Sequence, residues 1–309
     1  MEKIIPNRLK IGDTIGVVAP SNPIIGENVE ELNMARKIVE KSGFKVKYSR
    51  NLFSNTNGYS ATAKEKAKDL NDMFADKSVK MIWCAKGGNN SNSVFEYIDY
   101  ELIKNNPKII CGYSDITSLT NMITEKTGLV TFSATNFKTI ATDETDFSYE
   151  EALNRFVDGS LEFGINKSDK YKTIKEGIAE GELIGGNLCL TRGLVSGKYS
   201  INFENKILFL EELGYESSPE FVSSFLYHMK QNDVFDKIKG LWIGNYEHES
   251  GISLEKMVID VIGDEYKFPI IKSNNFGHTE CKTVIPIGIK AKIDTNKDIK
   301  IELLESCVK

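Results

Sequence analysis

Residues 107–126, PKIICGYSDITSLTNMITEK, constrain this chain more than any other stretch. After Pro107 comes a short apolar run, Ile109-Ile110-Cys111, the pattern of a parallel strand buried on both faces. Gly112 then permits a sharp turn, with Ser114 sitting on it. Asp115 falls in the first turn of a helix, where negative charge is favoured, and Ile116, Leu119 and Ile123 recur behind it at helical spacing. Strand, glycine turn, serine and helix together make a nucleophile elbow. Such an elbow lifts the hydroxyl above a sheet and aims the helix N-terminus at any oxyanion formed there. The usual elbow reads G-x-S-x-G; here Ile116 holds the last position. A G-x-S triplet alone occurs often by chance, and an ordinary surface serine is its default reading. The strand before it and the helix after it set this one apart.

The rest of the first half supplies a sheet for that elbow. Residues 15–20 (IGVVAP) read as a buried first strand, ended by Pro20 and Ser21. A helix over 27–42 carries Val29, Leu32, Ala35, Ile38 and Val39 on one face and stops at Gly43. Residues 44–48 form a second strand. Thr62-Ala63-Lys64-Glu65 is a capping box opening a helix that turns Ala67, Leu70 and Phe74 inward. Residues 79–84 are a third strand, followed by the loop Lys86-Gly87-Gly88-Asn89-Asn90. The elbow strand is the fourth, and 129–132 the fifth. Alternating strands and helices imply a parallel sheet flanked by helices on both faces. Ligands of such sheets bind at the carboxyl ends of the strands, so the loops at 20–23, 86–90, 112–115 and 133–136 open on the functional edge.

Length and texture divide the chain. Its 309 residues are enough for about two domains. Polar residues rise beyond 137, and 143–169 reads as the main part of a connection with one helix over 149–157. We expect an N-terminal nucleophile domain at 1–142, a linker at 143–176, and a smaller C-terminal α/β domain with a mixed sheet at 177–309. In the latter, residues 181–188 are glycine-dense and apolar, and 206–210 are a strand running into Glu211-Glu212. Helices are expected over 219–233 and 254–262, strands over 238–243 and 268–271. The tail, 285–304, reads as a hairpin around Asp294-Thr295-Asn296.

Charge and composition exclude several functions. The net charge of −5 argues against a nucleic-acid groove. No apolar run reaches the length of a membrane span, and residues 1–13 lack the apolar core of a signal peptide. A cytoplasmic location is expected. The cysteines, Cys84, Cys111, Cys189, Cys281 and Cys307, are odd in number and scattered. They fit reduced, mostly buried thiols, not a disulfide framework or a zinc site. There is no G-x-G-x-x-G after the first strand and no H-E-x-x-H, so neither a dinucleotide nor a metal cofactor is expected.

A serine nucleophile needs a base, and the chain has only three histidines. His228 lies in a helical stretch and reads as a helix-surface residue, and His248 lies in a polar loop and reads as solvated. His278 follows Phe276-Gly277 in a loop after a buried strand, where catalytic groups concentrate. The base needs an orienting carboxylate. Glu211 follows a buried strand directly, and Glu212 would point the other way if the strand continued; the bland reading makes both rim charges. For an oxyanion hole, the N–H of Asp115 is the expected first donor. Gly88, on the neighbouring loop, allows the close approach a second donor needs.

Taken together, these residues resemble the LD-carboxypeptidase family of serine peptidases, which includes the microcin C immunity peptidases. The resemblance runs through Leu9-Lys10-Ile11-Gly12-Asp13, Val17-Val18-Ala19-Pro20-Ser21, Lys86-Gly87-Gly88, Asp99-Tyr100 and residues 107–117. It continues through Ile184-Gly185-Gly186-Asn187-Leu188, Leu208-Phe209-Leu210-Glu211-Glu212 and Phe276-Gly277-His278. It implies a Ser-Glu-His triad of Ser114, Glu211 and His278 in a cleft between two domains, no cofactor, and a homodimer. The implied substrate is a cytoplasmic muropeptide, a tetrapeptide stem losing its terminal D-alanine. The alternative within the family is an immunity-type peptidase cleaving peptidyl or aminoacyl nucleotides. A rival of another class is a non-catalytic two-domain ligand-binding protein. The chain departs from the family in two loops: Asn89 stands where an aromatic is frequent, and Ser133-Ala134-Thr135 where Gly-Pro is frequent.

Overall fold

The first half of the chain contributes Thr14–Val18 (β1), Lys45–Tyr48 (β2), Val79–Cys84 (β3), Ile109–Gly112 (β4) and Thr131–Ser133 (β5). This computed structural model describes residues 2–166 and 169–309; Met1, and Lys167 and Ser168 in the expected connection, lie outside the described residues. The five strands run parallel in the order β5-β4-β3-β1-β2. β1, β3 and β4 are buried along almost their whole length, as continuous apolar runs require. The strand order reverses at β1, which lies between β2 and β3. At such a switch point the loops leaving neighbouring strands diverge and a crevice opens at their carboxyl ends. The helix Ala63–Ala75 begins at the capping box: the Thr62 side chain accepts from the Glu65 N–H, and Glu65 accepts from the Thr62 N–H.

The second half contributes Lys172–Lys175 (β6), Ile178–Asn187 (β7), Lys206–Glu211 (β8), Gly240–Ile243 (β9), Ile270–Lys272 (β10), Ile285–Ile287 (β11), Lys290–Asp294 (β12) and Ile301–Leu303 (β13). Seven of these form a mixed sheet, β13-β12-β7-β8-β9-β10-β6. Its centre, β7 to β10, is parallel, and β12, β13 and β6 add antiparallel at the margins. The fold is therefore α/β, with a parallel-dominated sheet carrying the elbow and a second, mixed sheet.

Three expectations need correction. The tail is not one hairpin: β12 and β13 form it, while β11 lies antiparallel to β5 on the edge of the first sheet. Pro286 sits in β11, and an edge strand is where a residue without an N–H is tolerated. The fifth strand begins later than expected because Leu129 is taken by a bridge to Ile4. The helix expected over 149–157 spans Phe147–Leu153, and a π-turn over Asn154–Asp158 follows it.

The glycine-dense stretch has a clear purpose. The elbow helix, Ile116–Thr127, packs directly on β7. Asn121 Nδ2 donates to Gly185 O at 2.8 Å, and Gly185 N donates back to Asn121 Oδ1 at 3.1 Å. Asn187 N donates to Thr117 Oγ1 at 3.1 Å. A Cβ on Gly186 would lie 2.5 Å from that same oxygen, so a larger residue would push helix and sheet apart. β7 pairs with β8 so that Asn187 lies opposite Glu211. The helix beginning beside Ser114 is thus docked on the neighbour of the strand that carries Glu211. Ile116, Leu119, Ile184, Leu208 and Leu210 bury together across this junction.

Candidate active site

The elbow turns between the end of β4 at Gly112 and the start of the helix at Ile116. The left-handed residue in that turn is Ser114 itself, with φ 63°. Gly112 does not supply the positive φ expected of it. Its role is space, since a Cβ there would lie 2.9 Å from both Asn136 Oδ1 and Ile116 Cγ2. A left-handed non-glycine residue costs about 1–2 kcal/mol, and such strain persists only where surrounding contacts over-determine it. One of those contacts is Asn136 Oδ1, which accepts from Tyr113 N at 3.2 Å.

Asp115 braces the turn from below. Its carboxylate is fully buried and makes no capping bond to its own helix. Oδ2 instead accepts from the Ser21 hydroxyl, at the end of β1, and from Ser91 N at 2.7 Å, beyond the β3 loop. Ser91 Oγ donates back to Asp115 O at 2.6 Å. One side chain therefore ties three carboxyl-edge loops together. Among the described residues no hydrogen bond engages the N–H of Asp115 or of Gly88. The β3 loop lies close to the serine: a Cβ on Gly87 would sit 3.0 Å from Ser114 Cβ.

Ser114, His278 and Glu211 form one hydrogen-bonded line. Ser114 Oγ lies 3.1 Å from His278 Nε2, and His278 Nδ1 lies 2.8 Å from Glu211 Oε2. An ionised carboxylate can only accept, so Nδ1–H donates and the Nε2 lone pair faces the serine hydroxyl. His278 N donates to the same Oε2 at 3.0 Å, and Asn245 Nδ2 donates to His278 O at 2.7 Å. These bonds require the backbone to fold tightly over the carboxylate at Gly277. Its φ is 91°, and a Cβ there would lie 2.4 Å from Glu211 Cγ. Burial on its own lowers the imidazole pKa, and the charge of Lys282 adds to this; the charge and hydrogen bond of Glu211, with the charge of Glu212, outweigh them, and the net direction is upward.

The adjacent carboxylates point apart, as alternation demands. Both are buried, Glu211 at 1% exposure and Glu212 at 3%, so neither is a solvated rim charge. Glu212 Oε1 accepts from Asn187 Nδ2 at 2.9 Å and from Leu213 N at 2.8 Å, and its Oε2 accepts from Cys189 N at 2.9 Å. Burial, and secondly the charge of Glu211, raise its pKa against the pull of these bonds. His228 lies on the helix Pro219–Gln231, and His248 Nδ1 pairs with Ser250 Oγ at 2.8 Å; neither lines the cleft.

Two open lobes meet at Ser114 and His278. One, of about 310 Å³, reaches Asn187, Cys189, Glu212, Phe221 and Phe225. The other, of about 410 Å³, reaches Asn22, Lys86, Asn136 and Lys138. Asn89 lines both. Of the 133–136 loop only Asn136 reaches the cleft, in the second lobe, which leaves the departure at Ser133-Ala134-Thr135 away from the cleft lining. Sequence reasoning missed the far wall, made of Leu213, Glu216 and the aromatics of the following helix. The one signal for it was Phe221 and Phe225 at helical spacing, a pattern that ordinarily marks a core face.

A serine on an elbow, bonded to an imidazole that is bonded to a carboxylate, is the arrangement used by serine hydrolases. Residues 15–134 match the family model of the LD-carboxypeptidase N-terminal domain, and residues 180–293 that of the C-terminal domain. The chain belongs to the LD-carboxypeptidase family. A protein of Bacillus subtilis (strain 168) named "Probable murein peptide carboxypeptidase" is 32% identical over 313 residues, covering 94% of this chain and 91% of its own length. The Microcin C7 self-immunity protein MccF of Escherichia coli is 29% identical, over 95% of this chain and 94% of its own length. Its structure in complex with aspartyl sulfamoyl adenosine matches with a TM-score of 0.91 at 25% identity, over 99% of this chain and 100% of that one. An MccF-like protein from Bacillus anthracis str. Ames matches with a TM-score of 0.91 at 30% identity, over 98% of this chain and 99% of that one.

Proposed function

We propose that this chain is a serine carboxypeptidase that hydrolyses an amide bond next to a free carboxylate. The observation that carries the reading is the line from Glu211 Oε2 through His278 to Ser114 Oγ, with spacings of 2.8 and 3.1 Å. Ser114 Oγ attacks the scissile carbonyl carbon while His278 Nε2 takes its proton. Glu211 holds the ring and stabilises the imidazolium. The N–H groups of Gly88 and Asp115, on facing loops, receive the oxyanion. The C–N bond then breaks as Nε2 returns the proton to the leaving amine. Water, deprotonated by the same imidazole, releases the acyl group from Ser114.

The substrate we favour is a muropeptide tetrapeptide that loses its terminal D-alanine in the cytoplasm. It is supported by the relative named for murein peptides. A second reading, cleavage of a peptidyl or aminoacyl nucleotide, draws on the likeness to the microcin self-immunity protein and its aspartyl sulfamoyl adenosine complex. Mass spectrometry of both substrate types, incubated with the wild-type chain and with Ser114→Ala, separates them. Loss of one alanine from the tetrapeptide, with wild type only, is expected. Cleavage of the nucleotide conjugate alone would transfer the function to the second reading. No cleavage of either, with Ser114 inert to a fluorophosphonate, would leave a ligand-binding protein.

A further inference from the structure

The two lobes that meet at Ser114 differ in charge: Glu216 lines both, and among the described residues the only lysines fall in the second. The lobe toward β7 and β8 presents Glu212 with the rings of Phe221 and Phe225. The lobe at the switch point of the first sheet presents Lys86 and Lys138. Lys138 already has a partner, since its Nζ lies 2.5 Å from Glu31 Oε2. Lys86 has none among the described residues: it is half-buried, and no hydrogen bond or ion pair engages its ammonium. A half-buried ammonium with no partner among the described residues, facing the cleft beside Ser114, is placed to receive an anion. Burial lowers its pKa, Lys138 pushes the same way, and Glu31 opposes them. Lys86 also lies two residues beyond β3 and precedes Gly87 and Gly88, and its lobe includes Ser114, the point of attack.

We infer that Lys86 forms a subsite for the free carboxylate of the residue that leaves. This rests on the carboxypeptidase reading above and adds a direction to it. In a terminal amino acid the carboxylate carbon is two bonds from the leaving nitrogen, so anchoring it at Lys86 places the scissile carbonyl over Ser114. The acyl side of the peptide then runs into the opposite lobe, along Phe221 and Phe225. A substrate amidated at its C-terminus has no charge to offer Lys86 and is discriminated against.

The test uses binding, which needs no turnover. N-acetyl-D-alanine and N-acetyl-D-alaninamide are titrated by NMR into Ser114→Ala, and into the same chain carrying Lys86→Met or Lys86→Arg. The acid is expected to bind Ser114→Ala about 10- to 100-fold more tightly than the amide, the span of a hydrogen bond to a charged group. Lys86→Met abolishes the preference, and Lys86→Arg, which keeps the charge, retains most of it. Equal binding of acid and amide to Ser114→Ala overturns the subsite. So does a preference that survives Lys86→Met. An inert wild-type enzyme would count against hydrolysis alone, because the acid-over-amide preference is read without it.

Discussion

Ser114 and the pair Glu211–His278 reach the same point from opposite walls of the cleft, and the walls hold them by different means. On the Ser114 side the turn is local in sequence and its brace is not. β4 and the elbow helix are separated by a few residues, and the buried Asp115 carboxylate pins the turn to the Ser21 and Ser91 loops. On the other side Glu211 ends β8 and His278 follows β10, 67 residues further on. They meet only because β8, β9 and β10 lie in register and because one carboxylate oxygen takes two bonds from His278. The turn depends on a few side-chain bonds to neighbouring loops, whereas a pairing assembled from three strands depends on each of them. Ser114 is thus fixed by position, and His278 by position and charge together.

The largest expected effect treats the two walls as equal. Ser114→Ala and His278→Ala should each lower kcat by about 10⁴-fold or more, because members of such a unit fail together. Neither should unfold the chain, which circular dichroism checks. His228→Ala and His248→Ala should leave kcat near wild type. A few-fold loss in Ser114→Ala, or an inactive His248→Ala, would remove the basis of the proposed triad.

Next comes the charge on the second wall. Glu211→Gln keeps the volume and removes the charge. The loss in kcat should be large but about one to two orders of magnitude smaller than that of Ser114→Ala, as the orienting carboxylate is the least costly member to lose. The pH profile gives the sign. The imidazole accepts a proton only when neutral, so activity rises with pH through the His278 pKa. That pKa lies above the ordinary value of 6.5 because Glu211, helped by Glu212, outweighs burial and the opposing charge of Lys282. Without the Glu211 charge, burial remains, and the acid limb of kcat/KM should move to lower pH. A limb that stays in place would mean another group sets the base.

The same contrast decides how much was legible in the sequence. The Thr62 capping box lies within a few residues of what it acts on, and strand, turn and helix around Ser114 follow from periodicity. His278 was reached by elimination among three histidines, and Glu211 over Glu212 through the family resemblance. What stayed hidden depends on tertiary packing. β11 leaves the tail to pair with β5, the buried Asp115 carboxylate turns away from its own helix, and Lys86 and Lys138 come from separate strands' loops to face one cavity. No local pattern records these meetings.

A smaller effect tests whether the second wall needs its close backbone approach. Gly277→Ala would bring a methyl to 2.4 Å from Glu211 Cγ, at a φ of 91° that a side chain rarely adopts. Relief requires the loop to lift His278 away from Ser114. The expected result is a destabilisation of about 1–3 kcal/mol with a kcat loss of about 10- to 100-fold, of the kind that small misplacements of catalytic groups produce. Urea denaturation and steady-state kinetics measure the two. Unchanged kcat would show that the pairing tolerates a shift, and the walls would then be alike.

The smallest effect belongs to Glu212, which stands beside Glu211 in sequence and faces the other way. Its carboxylate anchors Asn187 Nδ2, Leu213 N and Cys189 N, and it reaches the lobe away from His278. Glutamine can still accept from one side but turns an amide N–H toward the other. One buried donor then loses its acceptor, at a cost of about 1–3 kcal/mol. Against this, the substitution removes a charge that the site holds at a penalty, since burial and Glu211 raise the Glu212 pKa. The sign follows from linkage: the folded chain binds this proton more tightly than the unfolded one, so ionising Glu212 lowers stability. That loss accrues as pH rises from the ordinary glutamate value, about 4.3, through the raised folded value. Stability of wild type relative to Glu212→Gln should therefore fall across that window, as urea denaturation at a series of pH values would record. Activity should stay within about threefold of wild type, because none of the three donors belongs to the line from Glu211 to Ser114. If Glu212→Gln is inactive while Glu211→Gln works, the carboxylate that orients His278 is the second of the pair, and the proposed roles of the two must be exchanged.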